Sequence, residues 1–432
     1  MAVKPVTLAA RAAAVLIALS SFPARADDLE TYVREALQNS PNVRVLEHEK
    51  AAAQARVPQA GVPADPVLQL EASNIPLSTF DFGHTPMSGK EIRISQDFAF
   101  PGTLNALEGA AQAESEAKDA RLREFRNRLR ADVKASYYTL VLQDQTIETV
   151  EEHLDLARNL ASAASASYSS GRGAQQAHLK ARLSVTERRM DLIRLRNDRE
   201  TEAIRLNALA NRPLDSAVRV SAFHQHDADL PTADALSRLA MENRPGLQEI
   251  QAGQKQLLEM KRNAERRSWP GLNASLGYRQ REGVPGDPVK GADFVSARIA
   301  VRIPLFTGRR DHMRAVEAGA MAESKAAGYE ALQLEIDSRV RILHGILNRH
   351  QRELALFQEG LLPEAQHLFE SSLAAYRSGR GDFPSTIGAL DRLLHLRIEY
   401  YHHVTAHLKH LAELESVVGV PLDGEEVEEN LR

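Results

Sequence analysis

Cysteine is absent from the 432 residues. The chain therefore has no disulfide framework, no thiol nucleophile and no lipid-bearing cysteine behind an export signal. Past the first 26 residues, no apolar run approaches the roughly 20 residues that a transmembrane helix needs. A place in a membrane would have to be taken by β-strands. Catalytic signatures are missing too. Between Gly83 and Gly89 lie five residues, where a phosphate loop has four, and Glu91 replaces its hydroxyl residue. His48-Glu49 opens a zinc-protease pattern, but Ala52 stands at the second histidine, and no Gly-x-Ser-x-Gly elbow occurs. These gaps argue against an enzyme. The net charge is −4, the pI is near 6.5, and the basic residues are spread along the chain, so nothing points to a nucleic-acid partner.

The first 26 residues have the pattern of a cleavable export signal. Lys4 and Arg11 precede and open an apolar stretch, Ala12 to Leu19, and Ala24-Arg25-Ala26 is a small-x-small cleavage site. Removing this segment takes out three positive charges, which moves the net charge to −7 with Asp27 as the expected first residue. An amphipathic segment from Leu29 to Asn39 follows. A second, Val43 to Arg56, is expected to end before Pro58. Val67 to Ser73 alternates, with Leu68, Leu70 and Ala72 on one side and Gln69, Glu71 and Ser73 on the other. With Glu91 to Phe98 it predicts a β-hairpin over about 67–98, closed by a long loop.

After Pro101-Gly102 no proline occurs until Pro213. That gap predicts two long helices within about 104–211. Ile147, Val150, Leu154, Ala157, Ala161, Ala164 and Tyr168 step by three and four, the seam of a coiled coil. The seam shrinks to alanine near Tyr168, which lets helix axes converge there. The return helix is shorter, so the segment Val43 to Arg56 is expected to stack end to end with it.

The order is then replayed. Tyr168-Ser169-Ser170-Gly171-Arg172-Gly173 returns as Tyr376-Arg377-Ser378-Gly379-Arg380-Gly381, 208 residues later, in a register that continues to Pro213-Leu214 and Pro421-Leu422. A second hairpin is expected over about 272–303 and further long helices over about 310–419. In its returning strand Val295, Ala297, Ile299, Val301 and Ile303 share one side. Ser296, Arg298, Ala300 and Arg302 share the other. The fold class read from this is mainly α with a small membrane β part: long antiparallel coiled-coil helices in two tandem repeats, 27–231 and 232–432, each with one hairpin. Four strands cannot close a useful barrel, but three chains pooling theirs give a trimeric 12-stranded barrel with a lumen. Arg298 and Arg302 suit such a lumen, and the charged helices suit a water-filled tube.

The paired Tyr-x-x-Gly motifs, the 208-residue duplication, the run Gln96 to Gly102 and its counterpart Ile303-Pro304-Leu305-Phe306-Thr307-Gly308 resemble the TolC family of outer-membrane efflux proteins. The resemblance implies a homotrimeric channel-tunnel in outer-membrane lipid with a periplasmic extension in a Gram-negative cell. It also implies a periplasmic adaptor and an inner-membrane RND pump as partners, and no cofactor. Ser73-Asn74-Ile75-Pro76-Leu77, Thr85-Pro86-Met87 and the Gln96 to Gly102 run are most like the heavy-metal efflux branch, although Thr103 stands where that branch usually has lysine. A channel for drug efflux or type I protein secretion shares the architecture. A periplasmic coiled-coil scaffold is also compatible with the helices but leaves the strands unaccounted for.

Candidate sites follow. Tyr168, Gly171, Arg172, Tyr376, Gly379, Arg380 and Asp382 form the expected periplasmic tip and gate. Their glycines are explained simply by tight turning; by the resemblance, their tyrosines, arginines and Asp382 close the mouth. His403, His407 and His410, with Glu399, fall on one face of the last helix at metal-ligand spacing. A solvated face is the plainer reading, so no metal site is expected. His84 and Met87 are expected in the external loop without a ligand role.

Overall fold

The computed structural model describes residues 29–171, 173–221 and 230–422. The export-signal segment and Arg172 lie outside them. In chain order the elements are α1 (Leu29–Asn39), α2 (Pro41–Ala60), β1 (Val67–Ser73), β2 (Gly89–Phe98), α3 (Thr103–Ser169) and α4 (Gln175–Ala210). Then come α5 (Ala233–Asn243), α6 (Pro245–Arg267), β3 (Gly271–Gln280), β4 (Phe294–Arg302), α7 (Thr307–Leu356), α8 (Leu362–Arg377) and α9 (Phe383–Val418). Pro41 and Pro245 each open a helix, where a missing N–H costs nothing.

The 67 residues of α3 make a rod of about 100 Å. Two shorter helices share its flank. Lys50–Asp119 (2.6 Å) and Arg56–Glu114 (2.8 Å) hold α2 beside its first part, while the Arg199 fork on Asp144 (2.5 and 3.1 Å) holds α4 farther along. Where the end of α4 meets α1, Arg212 grips Glu35 with two bonds (2.5 and 3.0 Å) and Asn211 donates to the Asn39 carbonyl (3.2 Å). Tyr32, Val43, Val133, Leu140 and Leu206 form an apolar core at this junction. In the second half Leu236, Leu247, Ile336, Leu343 and Leu414 do the same where α5, α6, α7 and α9 meet. Lys134 on α3 and Glu415 on α9 join the two halves at 2.6 Å, both almost fully buried. Glu124 adds a second tie by accepting from the Gly246 backbone N–H at the start of α6 (3.1 Å).

Two helix boundaries differ from expectation. Pro58 does not stop α2, which runs on to Ala60. It sits two residues from the end, so a single ladder bond is lost, and the Gln59 amide donates to the Ala55 carbonyl (2.7 Å) in the same turn. In the second half the long helix instead widens into a π-turn over Phe357–Leu361 and continues without interruption to Arg377. Pro363 has no N–H for the Glu359 carbonyl, and the wider turn makes room for its ring.

The four strands form one antiparallel sheet in the order β1-β2-β3-β4. Leu68, Ile94, Leu276 and Ala297 lie in one cross-strand row, and Leu70, Ile92, Tyr278 and Val295 in another on the same face. The opposite face carries Gln69, Arg93, Gly277 and Ser296, and next to them Val67, Ser95, Ser275 and Arg298. Among the described residues no helix is long and apolar enough to cross a membrane.

Candidate functional site

The sheet's apolar face has no cover. Leu70 is 74% exposed, and Val295 and Ile299 are each 73% exposed. Each such side chain forgoes about 1.5–3 kcal/mol that full burial would supply, a liability that a sheet built for water avoids. Aromatic side chains mark both ends of the sheet. At the helix end Phe100 stacks on Trp269 (5.4 Å), with Phe98 at the end of β2 and Phe306 just after β4 both exposed; at the loop end stand Tyr278 and Phe294. The outer strands, β1 and β4, each leave one edge unpaired within the chain.

The other face is charged and organised. Glu91, 8% exposed, accepts from Arg93 at 2.5 Å, and Arg279 bonds the Ser73 hydroxyl. A Cβ on Gly277 would lie 2.6 Å from the Glu91 carboxylate, so glycine there makes room for the charge. Arg298 and Arg302 are on this face, opposite Ser275 and Gly271. Neither has an ion-pair partner among the described residues. His84 and Met87 are in the loop between β1 and β2, with the Met87 side chain exposed.

At the far end of α3 the first glycines of the two turns share a backbone conformation. Gly171 and Gly379 take φ of +70° and +73°, the left-handed region that a Cβ penalises. The second glycine of each motif answers to space instead: a Cβ on Gly173 would meet Ser167 Oγ at 2.7 Å, and one on Gly381 would meet Ala375 Cβ at 2.9 Å. Tyr168 stacks on His178 (5.7 Å) and is half exposed. Tyr376 is more enclosed, edge-on to Phe383 (5.7 Å) in a cluster with Phe357, Phe369 and Leu390. Asp382 caps α9 by accepting from the Ser385 N–H (2.7 Å), and that bond holds its carboxyl below the usual range. Arg380 is exposed and has no ionic partner among the described residues.

The seam leading to these tips hides a histidine that the helical pattern did not single out. His153 is 2% exposed, and neither ring nitrogen has a hydrogen-bond partner among the described residues. Burial first, then the Arg397 and Arg188 charges, push its pKa down to about 4. The unfolded chain therefore takes up this proton before the folded one does. Stability is full above the unfolded value near 6.5, falls as the pH drops towards 4, and then levels off, for a total loss of about 3 kcal/mol. Thermal unfolding followed from pH 7.5 to 4 should show this slope, and His153→Leu should flatten it. An unchanged slope in the variant would assign the acid sensitivity to other groups.

The solvated-face reading of the last helix is corrected by the packing. α7 lies against α9, so His407 is 8% exposed, and His403 and His410 both meet His350, itself 4% exposed. The ring of His410 stacks on His350 (5.5 Å), while His403 lies near both His350 and Glu353. His407 does not join this group. Burial, then His410, lower the pKa of His350 and favour its neutral form. Its i, i+3 spacing from Glu353 is visible in the sequence; that both face His403 follows only from the packing.

This architecture has known counterparts. The outer-membrane channel OprN aligns with a TM-score of 0.75 at 16% identity, over 90% of this chain and 89% of that one. The outer membrane protein VceC from Vibrio cholerae gives 0.75 at 16%, over 91% and 96%. The Campylobacter jejuni CmeC outer membrane channel gives 0.74 at 13%, over 93% and 88%. The fold is thus that of outer-membrane channel proteins. At the level of sequence, residues 32–212 match the family model described as outer membrane efflux protein. No curated protein matches the chain.

Proposed function

We propose that the chain is the outer-membrane channel-tunnel of a tripartite efflux system of the TolC type. Residues 27–231 and 232–432 are its two repeats, following an export signal. Three copies pool their sheets into a 12-stranded barrel, with the apolar face on lipid and the Arg298 and Arg302 face on the lumen. The helices extend the pore through the periplasm towards an adaptor and an inner-membrane RND pump. The single observation that carries this reading is the uncovered apolar face of a four-stranded sheet with two open edges. A soluble scaffold has no use for that face.

Bilayer recordings on the purified chain test the proposal. The wild type should form trimers that conduct weakly in the closed state. Tyr376→Phe with Arg380→Ser should raise closed-state conductance several-fold, because the tips hold the mouth shut by contacts between chains. Reversing Arg298 and Arg302 to glutamate should move ion selectivity towards cations. A chain that inserts no pores would overturn the channel reading. Unchanged leakage or selectivity would remove the tip or lumen role respectively.

For the cargo we favour heavy-metal cations, on the likeness of the Gln96 to Gly102 run and its companion motifs to that branch. A deletion strain should become sensitive to metal salts. Sensitivity confined to dyes and antibiotics, or loss of a secreted protein, would favour the drug-efflux or secretion channel instead.

A further inference from the structure

We propose that His350 and Glu353 of α7 and His403 of α9 form a binding site for a divalent transition-metal cation that clips the two helices together. Three atoms define it. His403 Nδ1 stands 3.1 Å from Glu353 Oε2 and 3.4 Å from His350 Nδ1, and His350 Nδ1 stands 3.6 Å from the same Glu353 oxygen. Ligands placed tetrahedrally at ~2.0–2.1 Å from a zinc-like cation are about 3.3–3.4 Å apart, so this triangle has the size that such an ion imposes. Two imidazoles and one carboxylate leave a fourth position for water. That donor set suits zinc, nickel, cobalt or copper(II), and not calcium or magnesium, which prefer oxygen.

The surroundings fit the same purpose. Glu353 Oε2 makes no hydrogen bond although it is buried, and the contact with His403 is close without being aligned as one. A proton on one nitrogen satisfies a single side of the triangle, whereas a cation satisfies all three. The other carboxylate oxygen, Oε1, is engaged by Arg349 at 3.6 Å, which orients Oε2 towards the histidines. The imidazoles are braced from both sides, by His410 stacked on His350 (5.5 Å) and by Phe357 against His403 (5.2 Å). Such support from packing is what keeps ligands in place before the ion arrives.

Phe357 is also the first residue of the π-turn, so the site lies one turn before the point where the helix leaves its regular course. A bound cation thus anchors α7 to α9 just ahead of the segment that leads to the Tyr376 tip. The inference does not depend on what the channel carries.

Titration calorimetry with zinc chloride on the detergent-solubilised full chain tests it, alongside thermal unfolding with and without the ion. One equivalent per chain should bind saturably and raise the unfolding temperature. His403→Ala and Glu353→Gln should each weaken binding about tenfold or more and abolish the thermal shift. Glu353→Gln keeps the side-chain volume, so an unchanged unfolding temperature without zinc shows that the fold is intact. His395→Ala removes an exposed histidine paired with Glu399 (3.1 Å) elsewhere on α9 and should bind zinc normally. Absence of saturable heat in the wild type, or equal binding by His403→Ala and wild type, would overturn the site and leave a histidine–carboxylate pair that only packs the helices.

Discussion

Replacing Lys134 with methionine should destabilise the folded chain by about 3–5 kcal/mol, the cost of leaving a buried carboxylate without its cation. Lys134 and Glu415 approach to 2.6 Å with side chains 9% and 7% exposed. Water cannot take the place of the lost ammonium. The remaining neutral donor, the Leu422 backbone N–H at 3.3 Å, compensates only a small part. The pair itself is worth far less than its disruption, because both charges were desolvated to make it. Lys134→Met combined with Glu415→Leu should therefore recover most of the loss. Denaturant unfolding of the two variants gives the comparison. A single variant within 1 kcal/mol of wild type, or a double variant as unstable as the single one, would show that the pair is not the buried tie described here.

The second large effect concerns two neighbouring residues on β2. Ile94 lies mid-strand on the apolar face between Leu68 and Leu276, while Ser95 lies on the polar face between Val67 and Ser275. Ile94→Arg should cost about 2–4 kcal/mol if that face meets lipid near the middle of the bilayer, and Ser95→Arg close to nothing if its face meets water. The readout is the amount of protein recovered in outer membranes and the urea midpoint of the purified assembly. Equal effects at the two positions would sink the assignment of faces, whatever the oligomeric state.

How much of this could be read from the residues depends on the range of the physics involved. The alternation from Val295 to Val301 is local, a consequence of the two-residue period of a strand, and the register sets those side chains on one face. The extent of α3 follows from the absence of proline between Pro101 and Pro213. Pro58 does not end its helix, and Pro363 is carried by a π-turn inside a helix that continues to Arg377. The cost of a helix proline depends on its distance from the helix end and on whether the chain can widen a turn, and sequence spacing reports neither. The histidines of α9 form a stripe that the residues alone read as a solvated face, because nothing local reveals that α7 covers them. His350 lies 53 residues from His403, and Lys134 lies 281 from Glu415. Contacts at such separations belong to the packing of helices that the local pattern defines only one at a time. His153 escapes the pattern for a related reason: it lies beside the apolar seam, next to Leu154, and only the packing around α3 encloses it.

The open edges of β1 and β4 also bear on inheritance. In the proposed ring every edge is completed by another copy, so no protomer owns a finished pore, and each defect enters the wall once for every copy that carries it. A variant that still pairs its edges but cannot open its tips would be built into mixed rings beside normal copies and would spoil most of them. Such an allele should act as a dominant negative. One whose outer strands β1 and β4 cannot pair at all should be recessive, because it is never admitted to the assembly.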